Sequence, residues 1–365
     1  MKKIVKKTML YCLFGLVLLV ALSALVYGIR SDKSYLFYED ESIIQKADFY
    51  HKNADQYNCL VIGSSRLYRQ VNPLQLDEEL ASHQLSTYNA SVANLRPFRS
   101  LDYLDYLNLS DSVRYVVLEL MPPTRIGDNY KANPELHSVD FSKFGVLLSM
   151  CLKSNYRKDV KAYYILRYSQ TMAYKYLGFG LRKYISVLMG TEEVKTKEAF
   201  YDIKAANGFL PFEDELSIHS NPELDRRHNY FISDSVRIIE ESIKSSLYDQ
   251  RASISPQKDG FVTYLNQKTA ELNAKGIDLY FVISPRKRPW DMRYLASIVP
   301  LLGAPVIDLS PADRYPEFYN YQYSFDDTHL NKKGAELFTS ELAKQMNSQI
   351  SLSKNQSKKA IALSK

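Results

Sequence analysis

One short apolar strand that ends in a glycine-serine turn constrains the fold more than any other stretch of this chain. Residues 59–62 read Cys-Leu-Val-Ile, and Gly63, Ser64 and Ser65 follow directly. Glycine permits backbone angles that a side chain forbids, and the small Ser64 lets Ser65 present its hydroxyl above the strand end. A helix expected from about residue 74 would bring free N–H groups near that hydroxyl, where an oxyanion can be held. Ser65 is therefore a candidate nucleophile, although such turns also occur in phosphate-binding and purely structural loops.

Strands and helices alternate after this turn and again near the C-terminus. Near-continuous apolar runs are typical of buried parallel strands, and apolar residues at helical spacing indicate the helices between them. The predicted strands are residues 59–62, 85–88, 113–120, 277–284 and 305–309. The predicted helices are residues 73–82, 98–107, 261–275 and 291–299, with a last helix that ends near residue 346. This alternation predicts a doubly wound α/β sheet.

The alternation is interrupted by a long segment, residues 130–259, that is predicted to be mainly helical. Apolar stripes mark its helices at residues 144–152, 160–177 and 231–247, whereas residues 191–225 are polar and predicted to be a loop. We expect an insertion into the α/β core that acts as a lid or shapes the substrate site. His219 and His228 fit a solvated loop better than a metal site, and no metal-ligand spacing is present.

The N-terminus predicts a membrane anchor over residues 1–29. Residues 8–28 carry no charge, and this length suffices to cross a bilayer as a helix. Lysines precede the run, so the N-terminus is expected in the cytoplasm and the rest of the chain outside it. A cleaved signal peptide is the alternative, but the apolar run is long and no convincing cleavage site follows. Residues 30–56 are predicted to be a linker with a lead-in helix, and residues 347–365 a disordered polar tail.

Composition narrows the classes of function. The formal charge is +6, its basic residues are scattered, and no nucleic-acid-binding motif is present, so a nucleic-acid partner is not expected. The three cysteines, Cys12, Cys59 and Cys151, make no disulfide framework, and whether the last two pair stays open. No cofactor-binding pattern was found.

A second constellation lies near the C-terminus. Asp326 and His329 are three residues apart on a turn that leads into the last helix, so the carboxylate can fix the imidazole tautomer and leave the other nitrogen free to take a serine proton. The competing interpretation is helix capping by Asp326 and Thr328, with the histidine merely exposed. Asp327 is a rival for the carboxylate.

Together, Gly63-Ser64-Ser65 and Asp326-Asp-Thr-His329 resemble the motifs of the SGNH/GDSL hydrolase superfamily. The resemblance implies a flavodoxin-like three-layer α/β/α sandwich formed by residues 57–129 and 260–346. It also implies a triad in which Ser65 is the nucleophile, His329 the general base and Asp326 the residue that orients it. Asp327 sits one place off the family spacing.

The chain departs from this family at two places. The second block usually carries a glycine for the oxyanion hole, whereas residues 89–94 here read Asn-Ala-Ser-Val-Ala-Asn, and the third block usually ends in asparagine, whereas Glu119-Leu-Met follows here. The oxyanion-hole candidates are therefore the amides of Ser65 and of Ala93 or Asn94. Arg66 is a candidate for binding an anionic substrate, with a structural salt bridge as the alternative.

With these departures and its expected anchor, the chain is similar to envelope proteins of the alginate-acetylation and teichoic-acid D-alanylation type. That resemblance implies an extracytoplasmic acyltransferase in which Ser65 accepts an acyl group from a membrane-bound O-acyltransferase and passes it to an envelope polysaccharide or polyol. Two alternatives stay open. One is a carbohydrate esterase with water as acceptor, and the other is an inactive scaffold with the same fold.

Overall fold

The computed structural model describes residues 2–28, 41–123, 140–153, 158–176, 206–218, 220–246, 256–285 and 289–363. Five parallel strands form one sheet in the order β2-β1-β3-β4-β5. The strands are β1 Cys59–Ile62, β2 Thr87–Asn89, β3 Tyr115–Glu119, β4 Asp278–Ile283 and β5 Val306–Asp308. This order is one of the two common orders of doubly wound sheets, in which ligands bind beyond the carboxyl ends of the strands.

Helices connect and cover these strands in the described part of the chain. Those before β4 are α1 Lys2–Gly28, α2 Glu41–Asn53, α3 Ser65–Gln70, α4 Pro73–Glu79, α5 Pro97–Tyr106, α6 Phe141–Lys153, α7 Lys158–Tyr176, α8 Phe212–Ile218, α9 Pro222–Ser233, α10 Ser235–Ser246 and α11 Gly260–Ala274. After β4 follow α12 Pro289–Ile298 and α13 Lys332–Leu363.

Both faces of the sheet are buried, which explains why the strands read as continuous apolar runs rather than as alternating patterns. Leu60 and Ile62 of β1 pack with apolar residues of α2, α5, α6 and α11 on one face. Cys59 and Val61 pack with those of α3, α4 and α13 on the other. The predicted α/β fold with a parallel sheet is thus confirmed.

The helices differ from those expected in two places. The helix expected from residues 73–74 is α4, but an additional short helix, α3, begins before it at Ser65, because the Ser64 hydroxyl accepts from the amide of Arg66 and caps it. The last helix continues to Leu363, so residues 347–363 extend α13 and the prediction of a disordered tail is wrong there. Apolar side chains that repeat every four residues support the first part of this extension, since Met346 and Ile350 are buried after Phe338 and Leu342.

The described parts of the insertion pack on the core. Leu147 of α6 and Phe261 of α11 belong to the same hydrophobic cluster, and Lys143 forms a buried ion pair with Asp102 at 2.7 Å. The loop predicted for residues 191–225 is wrong where α8 and the start of α9 lie. Asn221 caps α9 through the amide of Leu224, and Pro222 occupies the first turn, so the proline marks a helix start rather than a loop.

The N-terminal run forms α1. Among the residues whose side chains the structure describes, no helix combines the length and the apolar character that crossing a membrane requires. The anchor expected over residues 1–29 stays a prediction. Residues 30–40 of the expected lead-in segment lie outside the described residues, whereas its helix is α2. In the described structure, Cys59 and Cys151 are both buried and no disulfide bond joins them.

Candidate active site

The turn after β1 holds the candidate nucleophile at the carboxyl edge of the sheet. Gly63 is required there by space, because a Cβ would lie 2.8 Å from Cβ of Glu119 and 2.9 Å from the Leu67 side chain. Its backbone does not adopt a positive φ, so the expected reason for the glycine, unusual backbone angles, is wrong. Ser64 caps α3, and Ser65 is its first residue, half-buried at the helix N-terminus.

A group of side chains at the strand ends, here called the strand-end cluster, fixes this turn. It consists of Ser64 after β1, Glu119 at the end of β3 and Ser284 after β4. One carboxylate oxygen of Glu119 accepts from the Ser64 amide at 2.8 Å and from the Ser64 hydroxyl at 2.7 Å. The other accepts from the Ser284 hydroxyl at 2.9 Å. All three residues are buried, so the nucleophile's neighbour is held by hydrogen bonds to a charged group, which are the strong kind.

The second group, here called the triad cluster, consists of Ser65, His329, Asp326 and Arg227. Ser65 Oγ lies 2.8 Å from His329 Nε2. On the other side of the ring, His329 Nδ1 lies 2.9 Å from Asp326 Oδ1 and 3.1 Å from Oδ2. The same Oδ1 accepts from the amides of Thr328 and His329, both at 2.8 Å. Asp326 therefore selects the tautomer with the proton on Nδ1, and Nε2 is left to accept the serine proton.

The charges around the ring favour that neutral, proton-accepting form. Burial lowers the pKa of His329 and outweighs the opposing effect of Asp326, while the positive charges of Arg66 and Arg227 lower it further. For Asp326, burial alone would raise the pKa, but the imidazole and the Arg227 guanidinium outweigh it and hold the pKa below its ordinary value. The carboxylate is thus ionised and the imidazole neutral near pH 7, as a general base requires.

The insertion supplies two side chains to this site that the sequence analysis did not identify. Arg227 of α9 donates to Asp326 Oδ2. Phe212 of α8 packs its ring against the His329 ring edge to face, with 4.9 Å between the centroids, and stacks on Phe325 at 4.6 Å. An acidic first helical turn after Phe212, and an Asn-Pro helix start before Arg227, were the available signals for helices at these positions.

Phe212 also ends a stack of alternating cations and rings. Lys46 Nζ lies 3.9 Å above the Tyr68 ring, and the Arg69 guanidinium lies 4.2 Å from Tyr68 and 4.5 Å from Phe212. Burial and the Arg69 charge lower the pKa of Lys46, whereas carbonyl oxygens of Asn89, Ser91 and Gly208, at 2.7 to 3.0 Å, stabilise its ammonium form. The stack connects α2, α3 and the insertion to the candidate base.

The oxyanion-hole candidates lie on two neighbouring segments. The Ser65 amide is at the first position of α3, where helical N–H groups have no partner within the helix. The Val92 amide donates to the Gly63 carbonyl at 3.0 Å, which holds the segment with Ala93 and Asn94 beside the nucleophile turn. Ala93 and Asn94 are exposed, and Asn94 has a φ of 59°.

The remaining predicted residues fall into distinct places. Arg66 is half-buried, its positive charge lowers the pKa of His329, and its Nε is buried with no hydrogen-bond partner among the described residues. Its alternative role, a structural salt bridge, stays a prediction. Asp327 is exposed and takes no part in the triad cluster. His228 stacks on Phe325 and its Nδ1 lies 2.7 Å from the Phe325 carbonyl, whereas His219 lies outside the described residues. Among the described residues, no three metal-ligating side chains come together.

The arrangement can perform nucleophilic acyl transfer: a serine, a neutral histidine and an ionised carboxylate are in hydrogen-bonding order next to a helix N-terminus. Comparisons of the chain with known protein families, with curated proteins and with solved structures find no match. What the site does is therefore argued from its own geometry.

Proposed function

We propose that this chain is a serine acyltransferase of the SGNH type, with a flavodoxin-like three-layer core, that carries an acyl group on Ser65. The observation that carries the proposal is the contact of 2.8 Å between Ser65 Oγ and His329 Nε2, with Asp326 on the opposite ring nitrogen. Serine hydroxyls are poor nucleophiles unless a base takes their proton, and this order of groups supplies one.

In the first half-reaction, Ser65 Oγ attacks the carbonyl carbon of the acyl donor while His329 Nε2 takes the hydroxyl proton. Negative charge builds on the carbonyl oxygen, where the Ser65 amide and an amide of Ala93 or Asn94 stabilise it. The bond to the leaving group then breaks, and the imidazolium gives its proton to that group. The product is an ester between the acyl group and Ser65.

In the second half-reaction, a hydroxyl of the acceptor attacks this ester and loses its proton to His329. The bond to Ser65 Oγ breaks, the imidazolium returns the proton to Ser65, and the acyl group leaves on the acceptor. The acceptor we propose is a hydroxyl of an envelope polysaccharide or polyol, and the donor a membrane-bound O-acyltransferase. This acceptor and donor require a protein that is anchored in the membrane with its bulk outside the cytoplasm, and two features support that location. One is the uncharged run of residues 8–28 behind N-terminal lysines, and the other is the exposure of apolar side chains of α1, such as Leu10, Phe14 and Val17.

The alternative acceptor is water, which would make the protein an esterase of the same chemistry. The two functions differ only in how the acyl-Ser65 ester decays, because its formation uses the same groups. We would form the acyl-enzyme with an activated acetyl ester and measure by mass spectrometry how fast it decays in buffer, and in buffer with a polyol or a polysaccharide fragment. A transferase predicts slow decay in buffer and faster decay with formation of the O-acetylated acceptor. Fast decay that no acceptor changes would instead identify an esterase.

The third interpretation is a scaffold without catalytic activity, and it is tested by whether the acyl-Ser65 ester forms at all. It predicts that neither an activated ester nor a serine-directed phosphonate modifies Ser65. Modification that is lost in both Ser65→Ala and His329→Ala would exclude it.

A further inference from the structure

The insertion is joined to the loop of the triad cluster by several separate contacts. The Phe212 ring stacks on Phe325, and the His228 Nδ1 lies 2.7 Å from the Phe325 carbonyl oxygen. Glu213 accepts from the Lys332 amide at 2.9 Å just after this loop. Because these contacts come from both α8 and α9, the insertion is packed around residues 325–332 and fixes its side chains relative to the triad cluster.

Arg227 is the charged side chain that this packing delivers to the carboxylate. Its Nη2 donates to Asp326 Oδ2, the oxygen that does not receive the backbone amides of residues 328 and 329. The same Nη2 lies 3.4 Å from His329 Nδ1. In the tautomer described above, Arg227 Nη2 and His329 Nδ1 both carry protons, so this second contact is not a hydrogen bond. The positive guanidinium at this distance repels a positive charge on the imidazole ring. Asp326 is 99% buried, so little water competes for its oxygen.

We infer that Arg227, supplied by the insertion, is a positioning residue of the proposed acyl transfer, which holds the Asp326 carboxylate in line with His329. Arg227 acts through Asp326 and does not touch the reacting atoms. The inference rests on the proposed function for its catalytic consequence, but its effect on the histidine is independent of any substrate.

The charged groups that face His329 separate Arg227 from its neighbours. Three charged side chains act on the His329 ring: Asp326 from the same loop, Arg66 from α3 and Arg227 from α9. Phe212 of α8 contacts the ring with an uncharged side chain. Both arginines lower the pKa of His329, but of the two only Arg227 donates to Asp326. Replacing Arg227 by glutamine therefore removes the positive charge and one carboxylate bond, and it should raise the pKa of the histidine toward its usual value.

The experiment compares Arg227→Gln with Arg226→Gln on the same helix. Arg226 is exposed and pairs with Glu223, so it offers a matched change of charge one residue away from the contact. The full chain, labelled with ¹³C at its six histidines, is titrated by NMR, and the His329 signal is assigned with His329→Gln. We expect Arg227→Gln to raise the pKa of His329, because it removes a positive charge that lowers this pKa. Arg227→Lys should retain most of the wild-type value, and Arg226→Gln all of it.

The catalytic consequence is measured separately, as the pH dependence of Ser65 modification by a serine-directed phosphonate. The acid limb should move to higher pH in Arg227→Gln by the same amount as the histidine pKa, so that modification slows most below the wild-type pKa and little at pH 7.5. Thermal unfolding shows whether the variants are folded, and Arg227→Lys serves as the test variant if Arg227→Gln is not. An unchanged His329 pKa in folded Arg227→Gln, or an equal shift in Arg226→Gln, would overturn the inference. Absence of modification in the wild type would instead count against the proposed function and would leave the titration result intact.

Discussion

The strand-end cluster and the triad cluster share one turn but are built in different ways. Ser64, Glu119 and Ser284 stand at the ends of three strands that are neighbours in the sheet, so the register of the strands brings them together. Ser65, in contrast, meets a histidine 264 positions away on a loop, and that loop is held by the insertion. The sheet thus fixes the position of Ser65, the proposed nucleophile, whereas loop and insertion contacts fix the position of His329, its proposed base.

This difference predicts two kinds of variant. Changes in the strand-end cluster should lower the stability of the fold and, through it, the activity. Changes at Ser65, Asp326 or His329 should remove most of the activity with little loss of stability, because removing a functional charge or hydroxyl often relieves rather than creates strain. A change at Arg227 should instead move the pH dependence of the activity.

The largest expected effect separates two adjacent serines. Ser65→Ala should reduce acyl-enzyme formation by at least about 10³-fold with an unchanged melting temperature, since its hydroxyl is the proposed nucleophile. Ser64→Ala should retain acyl-enzyme formation but lower the free energy of unfolding by about 1–3 kcal/mol, because it loses a helix cap and a bond to Glu119. Thermal unfolding and intact-mass kinetics measure both variants. Equal behaviour of the two serines would contradict the division between the clusters.

The next largest loss of activity is expected for Asp326→Asn. Asparagine has nearly the same shape, but its amide cannot hold the Nδ1–H tautomer as a carboxylate does, and modification of Ser65 should slow by about 10³- to 10⁴-fold. Asp327→Asn is the matched control, because this neighbour is exposed and outside the triad cluster. Rates of phosphonate modification are compared at pH 7.5. A similar loss in both variants, or none in Asp326→Asn, would exclude Asp326 as the orienting residue.

Glu119 tests the strand-end cluster directly. Glu119→Ala leaves the buried amide and hydroxyl of Ser64 without their acceptor, and it should lower the free energy of unfolding by about 3 kcal/mol. Glu119→Gln retains an acceptor for Ser64, and the Ser284 hydroxyl can accept from the new amide, so most of this loss should be avoided. Urea unfolding with both variants measures the difference. If alanine and glutamine destabilise equally, the hydrogen bonds described here are not what the carboxylate contributes.

The smallest expected effect concerns Arg66, which follows Ser65 in α3. Its half-buried guanidinium has an unpartnered Nε, and a negatively charged acyl ester should therefore bind better than a neutral one. Arg66→Gln should raise KM for an anionic ester about tenfold and leave KM for its neutral analogue unchanged. Equal changes for the two esters would show that Arg66 does not select charge.

The sheet and the three residues Ser65, Asp326 and His329 could be predicted from sequence because each has a local signal. Buried strands have apolar runs, and a strand-turn serine and an Asp-x-x-His turn are short patterns. The partners of Glu119 could not be predicted, since they follow from the order of β1, β3 and β4 rather than from nearby residues. The same residue instead appeared as a departure from a family pattern.

Arg227 and Phe212 were missed for a different reason. Phe212 lies in residues 191–225, which were predicted to be a loop, and its helix α8 is only 7 residues long. Arg227 lies just beyond that loop and before the helix predicted from residue 231. Helix α8 depends on contacts with Phe325 and Lys332, which are more than a hundred positions away in the chain. Tertiary packing, rather than local propensity, decides such short helices.

The central claim is that Ser65 becomes covalently acylated with His329 as its base. The most direct test is the intact mass of the protein after incubation with an activated acetyl ester, followed by peptide mapping, for wild type, Ser65→Ala and His329→Ala. The account predicts one acetyl group per wild-type chain on the peptide that contains Ser65, and none on that peptide in either variant. A folded wild-type protein that gains no acetyl group there, or that still gains it in Ser65→Ala, would contradict it.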